Sequence, residues 1–143
     1  KLMKASLLML MVATCMLLVG IEVSSNSEFI SYVQDKKVGD RSQATIGEVV
    51  DFYLPNAEWS FFTSDIGKFI VEVSGTHQNE EVEGVTTILI QFQFQNVAKK
   101  GDINMLTDVS LAYMEVNGNV CSREEALENM DILFEIYKKY RPR

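Results

Sequence analysis

The side chains that could form a metal site or a nucleophile are few. The chain of 143 residues contains one histidine, His77, and two cysteines, Cys15 and Cys121. A zinc site needs several histidine or cysteine ligands, and a cysteine nucleophile needs an activating base within reach. The glutamates after His77, in HQNEEVEG, lack the alternating Asp and Asn ligands of a calcium loop. The sequence therefore predicts no catalytic, metal or cofactor-binding residues and a protein that is not an enzyme.

Aromatic and amide side chains remain as candidates for binding a protein partner. Phe61 and Phe62 are adjacent, so in a strand they must point to opposite faces, and one of them is turned away from the main core. Three glutamines alternate with apolar residues in ILIQFQFQ, which predicts a second, polar face of the same sheet. The predicted partner-binding residues are Trp59, Phe61, Phe62, Gln91, Gln93 and Gln95.

The strands that position these residues follow from a hydrophobic period of two. That period predicts strands at 59–63, 68–76, 85–97 and 107–116, and Asn117-Gly118 predicts a tight turn. Residues 22–28 are predicted as a linker, 29–33 as a short edge strand, 98–104 as a turn, and 34–44 and 77–84 as polar loops.

Two helices are predicted from their capping residues. Thr45 with Glu48, and Ser122 with Glu125, have the spacing of a capping box. Pro55 ends the first helix. The predicted apolar face of the second consists of Ala126, Leu127, Met130, Leu133, Phe134 and Tyr137. The fold class is therefore α+β: a two-layer domain in which an antiparallel meander of three to five strands follows a short helix and carries a longer C-terminal helix on one face.

An uncharged apolar run at 5–21 follows Lys1 and Lys4 and indicates a protein that is exported across a membrane or anchored in it. It is either the core of a signal peptide cleaved after Ser25 or a retained N-terminal membrane helix, since its length fits both. Lipidation at Cys15 is a third alternative. In each case we expect residues 1–25 to act as signal peptide or anchor, and residues 26–143 to form one extracytoplasmic α+β domain.

The acidic composition limits the partners. The net charge of −7 repels phosphate backbones and anionic headgroups, so nucleic-acid binding is disfavoured. We expect a protein partner in the envelope, and contact with the membrane through residues 5–21 if they are retained.

The stretch TIGEVVDFYLPNAEWSFFTSDIGKFIVEVSG (45–75), followed by ILIQFQF, resembles small exported bacterial domains of uncharacterised function. The shared pattern is a short helix, an Asn-x-x-Trp step, a Gly-containing hairpin and an apolar-polar strand, and it extends over roughly residues 45–118. The domain is more loosely similar to envelope-assembly lipoproteins and to β-lactamase-inhibitor-like modules. The resemblance implies binding and not catalysis, and the helix at 123–141 departs from it as an extension.

Three functions are consistent with this sequence. The first is a non-enzymatic binding or accessory module of the bacterial cell envelope. The second is a structural subunit of a membrane complex or surface filament, packed through its retained N-terminal helix. The third is a small-ligand carrier or hydrolase with a pocket between helices and sheet, which requires convergent polar groups in that pocket.

Overall fold

A computed structural model of the protein describes residues 23–37, 44–79, 83–95 and 109–141. Within these ranges, three helices and a five-stranded antiparallel sheet of order β1-β2-β3-β4-β5 form an α+β fold. The helices are α1 (Val23–Gln34), α2 (Ile46–Tyr53) and α3 (Arg123–Tyr140); the strands are β1 (Glu58–Thr63), β2 (Phe69–Asn79), β3 (Gly84–Phe94), β4 (Val109–Val116) and β5 (Asn119–Val120).

The predicted fold class is confirmed: the strands form an antiparallel meander, α2 precedes it, and the longer α3 packs on one face. The clearest sequence pattern gives the clearest strand. In β3, Ile88, Ile90, Phe92 and Phe94 are buried, and the residues between them are partly exposed. The apolar run at 5–21 and the predicted turn at 98–104 lie outside the described residues. Within the described ranges, no helix combines the length and the apolar character needed to cross a bilayer.

The helix starts follow the predicted caps. Ser122 and Glu125 form a complete capping box, in which each side chain accepts the other residue's backbone N–H at 3.2 Å. These bonds hold the pKa of Glu125 below its ordinary value because they stabilise the carboxylate. At α2, the Thr45 hydroxyl accepts the Glu48 N–H and also donates to the Glu48 carboxylate at 3.1 Å. Both N-caps are therefore confirmed, whereas of the two predicted capping boxes the complete one is at α3.

The N-terminal part of the described chain corrects two predictions. Residues 22–28 were predicted as a linker and 29–33 as an edge strand, whereas Val23–Gln34 is the helix α1. Phe29 and Val33 are four residues apart, lie on one side of that helix and are both buried. The segment from 29 to 33 is too short for its hydrophobic period to distinguish strand from helix, so packing against the sheet decides.

The hairpin between β2 and β3 also differs from the prediction. Residues 77–84 were predicted as a polar loop, but β2 continues to Asn79 and pairs with β3 from Gly84 onward. Asn117 and Gly118 have φ values of 53° and 78°, as the predicted tight turn between β4 and β5 requires. The longer β2 places His77 in the sheet and not in a loop.

The core lies between the helices and one face of the sheet. No polar or charged residue of the described chain is buried. Of the apolar face predicted for α3, Leu127 is the exception, since it is 48% exposed. The buried core residues are Phe29, Val33, Ala44, Ile46, Val49, Val50, Leu54, Val71, Val73, Ile88, Ile90, Phe92, Phe94, Met114, Ala126, Met130 and Leu133.

Candidate functional site

One face of the sheet packs against the helices, and on the other, which we call the outer face, no described helix packs. Core residues of all three helices meet alternate residues of the central strands, among them Val71, Ile90 and Met114. The residues between them point away from the helices because side chains alternate along a strand. The three predicted glutamines therefore lie on the outer face, together with Phe62.

Hydrogen bonds between strands and along one strand order the polar groups of the outer face. Glu72, Gln91 and Tyr113 lie side by side on β2, β3 and β4. The Gln91 side-chain amide donates to Glu72 at 2.7 Å, and the Tyr113 hydroxyl donates to Glu115 at 2.6 Å. The second bond raises the pKa of Tyr113, because the phenol stays protonated to donate. These bonds restrict the side chains of the row.

A second row crosses the outer face beside the first. Phe62, Ile70 and Gln93 are register partners on β1, β2 and β3. Phe62 is 38% exposed, while Ile70 is only 5% exposed although it lies outside the helix-covered core. Gln95 donates its side-chain amide to the Ser110 hydroxyl at 2.5 Å. The outer face therefore combines one exposed aromatic ring with ordered amide and hydroxyl groups.

The other two predicted aromatic residues point toward the helices. The Phe61 ring stacks on Phe29, with the ring centroids 4.6 Å apart, and Trp59 packs against the same core. The Trp59 indole N–H donates to Asp51 of α2 at 2.9 Å. The structure thus divides the six predicted residues: Phe62 and the glutamines share the outer face, whereas Trp59 and Phe61 join the sheet to the helices.

The outer face has charges of one sign. The five strands contain Glu58, Glu72 and Glu115 and no lysine or arginine. All three glutamates lie on the outer face, since their strand neighbours pack toward the core. A protein that covers this face must therefore present neutral or basic groups to it, because unpaired buried carboxylates would be costly.

A groove runs along the outer edge of β4, where the outer face meets α3. Its volume is about 330 Å³. One side includes Gln93 and Gln95, and the other is formed by the first two turns of α3, including Ala126 and Leu127. Cys121 also lines it and is a free thiol that accepts a long contact from the Asn129 amide at 3.6 Å. The sequence did not predict this groove, because it depends on how α3 packs beside an edge strand.

His77 has a structural environment that its neighbours in the sequence do not reveal. Its ring stacks on Tyr53 with centroids 4.0 Å apart, and its Nδ1 lies 2.9 Å from the Tyr53 carbonyl oxygen. A carbonyl only accepts, so Nδ1 carries the hydrogen. Tyr53 is the last residue of α2, and a donor there satisfies one of the free carbonyls of the helix end. Within the described ranges, no cluster of three or more His, Cys, Asp or Glu side chains could hold a metal ion.

The Asn-x-x-Trp step also has a packing role. Asn56 accepts the backbone N–H of Thr76 at 2.9 Å and donates to the Thr76 hydroxyl at 2.8 Å, which attaches the turn after α2 to β2. A Cβ at Gly75 would lie 3.0 Å from the Asn56 Oδ1 and 3.1 Å from the Leu54 Cβ. Any larger residue at position 75 would therefore require the turn to shift by a few tenths of an ångström.

Comparison of the chain with protein-family models, with curated proteins and with solved structures finds no significant match. The resemblance to small exported bacterial domains therefore stays a prediction.

Proposed function

We propose that this protein is a non-enzymatic binding module of the bacterial cell envelope, exported or anchored through residues 5–21. The observation that carries the proposal is the outer face, a preordered polar surface with one exposed aromatic ring that no described helix covers. The apolar run and the lysines before it support this location in the cell envelope.

The chemistry of the outer face suits protein recognition. Aromatic residues are enriched at protein interfaces, and polar groups fixed by neighbouring strands lose little conformational freedom on binding. Phe62 supplies the ring, and the row of Glu72, Gln91 and Tyr113 supplies ordered donors and acceptors.

The cellular location is tested by intact-mass analysis of the protein recovered from its host, after separation of membrane and soluble fractions. A mass beginning at residue 26 identifies a cleaved signal peptide, a full-length membrane form identifies an anchor, and an added lipid mass identifies the modification at Cys15. A full-length protein in the cytoplasmic fraction would contradict the envelope assignment.

The surface is tested by site-specific photo-crosslinking in the host. A photoreactive amino acid replaces Gln91 on the outer face or, as the matched control, Glu135 on the exposed side of α3. We expect the Gln91 position to give a discrete cross-linked protein and the Glu135 position to give none. No adduct from Gln91, Phe62 or Gln93 would contradict binding through this face.

Two substitutions separate recognition from folding. Phe62→Ala and Gln91→Ala should reduce the cross-linked yield from Gln93 severalfold and change the melting temperature little, because both side chains are partly exposed. Full retention of partner capture in both variants would show that the partner does not contact these side chains.

A further inference from the structure

The edge of the sheet beside α3 has backbone groups without a strand partner. β5 pairs only with Glu115 and Val116, and the Cys121 N–H donates to the Met114 carbonyl at 2.9 Å. From Val109 to Tyr113, no described strand pairs with β4 on this side. An unpaired row of N–H and C=O groups is a template for adding another strand.

This part of the edge lacks most of the features that keep sheet edges unpaired. Proteins commonly protect such edges with charged side chains or proline. The segment Val109–Tyr113 reads VSLAY and contains neither. The opposite edge strand, β1, begins with Glu58 and packs against α1. The bulge at Ala112 is the one irregularity of the free edge.

The bulge interrupts the pairing of β4 with β3 at one residue. The register between β3 and β4 shifts between Gln91 and Phe92, so Ala112 has no partner on β3, and its side chain is exposed. Bulges often lie beside functional sites, where they redirect the strand. Here the bulge is in the floor of the groove of about 330 Å³. The groove thus runs beside the part of β4 that no described strand pairs on its outer side.

The wall and the charge of the groove indicate what it binds. Leu127 on α3 is 48% exposed and faces the groove beside the small Ala126, so an apolar side chain has a surface to contact. Arg123 is the only charged side chain among the described residues that line it. An acidic group in the occupant would therefore be complementary to the groove.

From these observations we propose that the free edge of β4 and the first two turns of α3 bind an extended peptide segment of a partner protein. The segment adds to the sheet as a further strand, places an apolar side chain against Leu127, and pairs an acidic residue with Arg123. This proposal rests on the proposed binding function, and it specifies that the partner is bound as an extended strand. Strand addition takes its affinity from backbone hydrogen bonds and its specificity from alternate side chains.

The test uses the full chain in lipid nanodiscs, or the mature form if residues 1–25 are removed. A phage-displayed library of random peptides is selected on this protein and counter-selected on the variant Ala112→Pro. Proline at the bulge removes one backbone N–H from β4 beside the groove, and a circular-dichroism spectrum and melting curve like those of the wild type show that the variant keeps the fold. A proline control is Asp65→Pro in the β1–β2 turn, a position that favours proline.

Selection should enrich peptides that alternate apolar and polar residues and carry an acid. A synthetic copy should bind at least about 10-fold more weakly to Ala112→Pro and to Arg123→Glu, and equally well to wild type and Asp65→Pro. N-methylation of alternate backbone nitrogens of the peptide should abolish binding to the wild type. This last measurement keeps the test valid if Ala112→Pro fails to fold.

Three results would overturn the proposal: no enrichment over the Ala112→Pro variant, full binding of the N-methylated peptide, or a stable dimer in sedimentation that occupies the edge with a second copy. None of these affects the photo-crosslinking at Gln91. A failure of strand addition is therefore distinguishable from a failure of the binding function itself.

Discussion

The two faces of the sheet differ in what holds their side chains in place. On the helix-covered face, apolar residues such as Ile90 are fully buried among three helices. On the outer face, residues such as Gln91 are held by hydrogen bonds to the next strand and remain partly exposed. The first face stabilises the fold by removing apolar surface from water, whereas on the second, apart from the buried Ile70, the side chains stay partly exposed and should contribute less to stability. Substitutions of sequence neighbours that point to opposite faces test this difference directly.

The largest effect is expected at the centre of β3. Ile90 is 0% exposed, so Ile90→Ala removes buried methylene groups and leaves a cavity, and we expect a loss of about 3 to 4 kcal/mol in the free energy of unfolding. Leu89→Ala, one residue away on the outer face, should cost clearly less. Urea denaturation monitored by the fluorescence of Trp59 measures both. Equal losses would contradict the division into two faces.

The adjacent phenylalanines provide the second comparison. Phe61 stacks on Phe29 and contacts Phe69, whereas Phe62 is 38% exposed on the outer face. We expect Phe61→Ala to lower the free energy of unfolding by about 2 to 3 kcal/mol, and Phe62→Ala by about 1 kcal/mol or less. Thermal and urea denaturation of the two variants decides the matter. A larger cost at Phe62 would place the recognition surface elsewhere.

A third comparison concerns the contact between the helix layer and β2. Gly75→Ala forces its Cβ to within 3.3 Å of the Ala57 backbone, so the turn after α2 must shift, and we expect a cost of about 1 to 2 kcal/mol. Gly84→Ala is the control, since its Cβ would meet nothing within 4 Å. If both variants unfold at the same urea concentration, the close approach at Gly75 is not a constraint.

The smallest effect is a dependence on pH at the surface of the helix layer. The Tyr137 hydroxyl donates to Glu48 at 2.8 Å, which lowers the pKa of Glu48 below its ordinary value of 4.5, with the Thr45 hydroxyl as a further cause. A carboxylate with a lowered pKa stabilises the fold above its unfolded pKa, and this contribution is lost as the pH falls through the folded pKa. The melting temperatures of wild type and Glu48→Gln should therefore differ at pH 7 and converge in acid.

The control for this prediction is Tyr137→Phe, which keeps the ring against Phe52 and removes the hydroxyl. It should reduce the same pH dependence, because it removes the largest cause of the lowered pKa of Glu48. A difference between wild type and Glu48→Gln that stays constant from pH 7 to acid would show that the carboxylate is not stabilised in the fold.

Local signals predicted much of the fold. The β3 alternation, the turn at Asn117-Gly118 and the two N-caps each depend on residues close in sequence, and the structure has all of them. The helix α1 was not predicted because the apolar residues at 29–33 are compatible with the period of a strand and with that of a helix. Packing against β1 favours the helix. The extension of β2 through His77 was missed because polar residues in a strand resemble a loop.

Part of the candidate site was predicted, because that part also depends on residues close in sequence. Alternation in β3 was enough to place the glutamines together on one face. It could not show which of Phe61 and Phe62 faces the helices, since that depends on where the helices pack. The groove beside Ala112 gives no signal in the sequence at all, because it is formed by an edge strand and a helix that only tertiary packing brings together.

The two-faced antiparallel sheet, the capped helices and the small number of residues with catalytic chemistry follow from the sequence, because periodicity, capping and composition are local properties. The tertiary structure alone decided which face is covered, that Trp59 and Phe61 belong to the core side, and that β4 keeps a free edge beside α3. These depend on contacts between segments distant in sequence, and such contacts form wherever burying apolar surface outweighs the local preference of a segment.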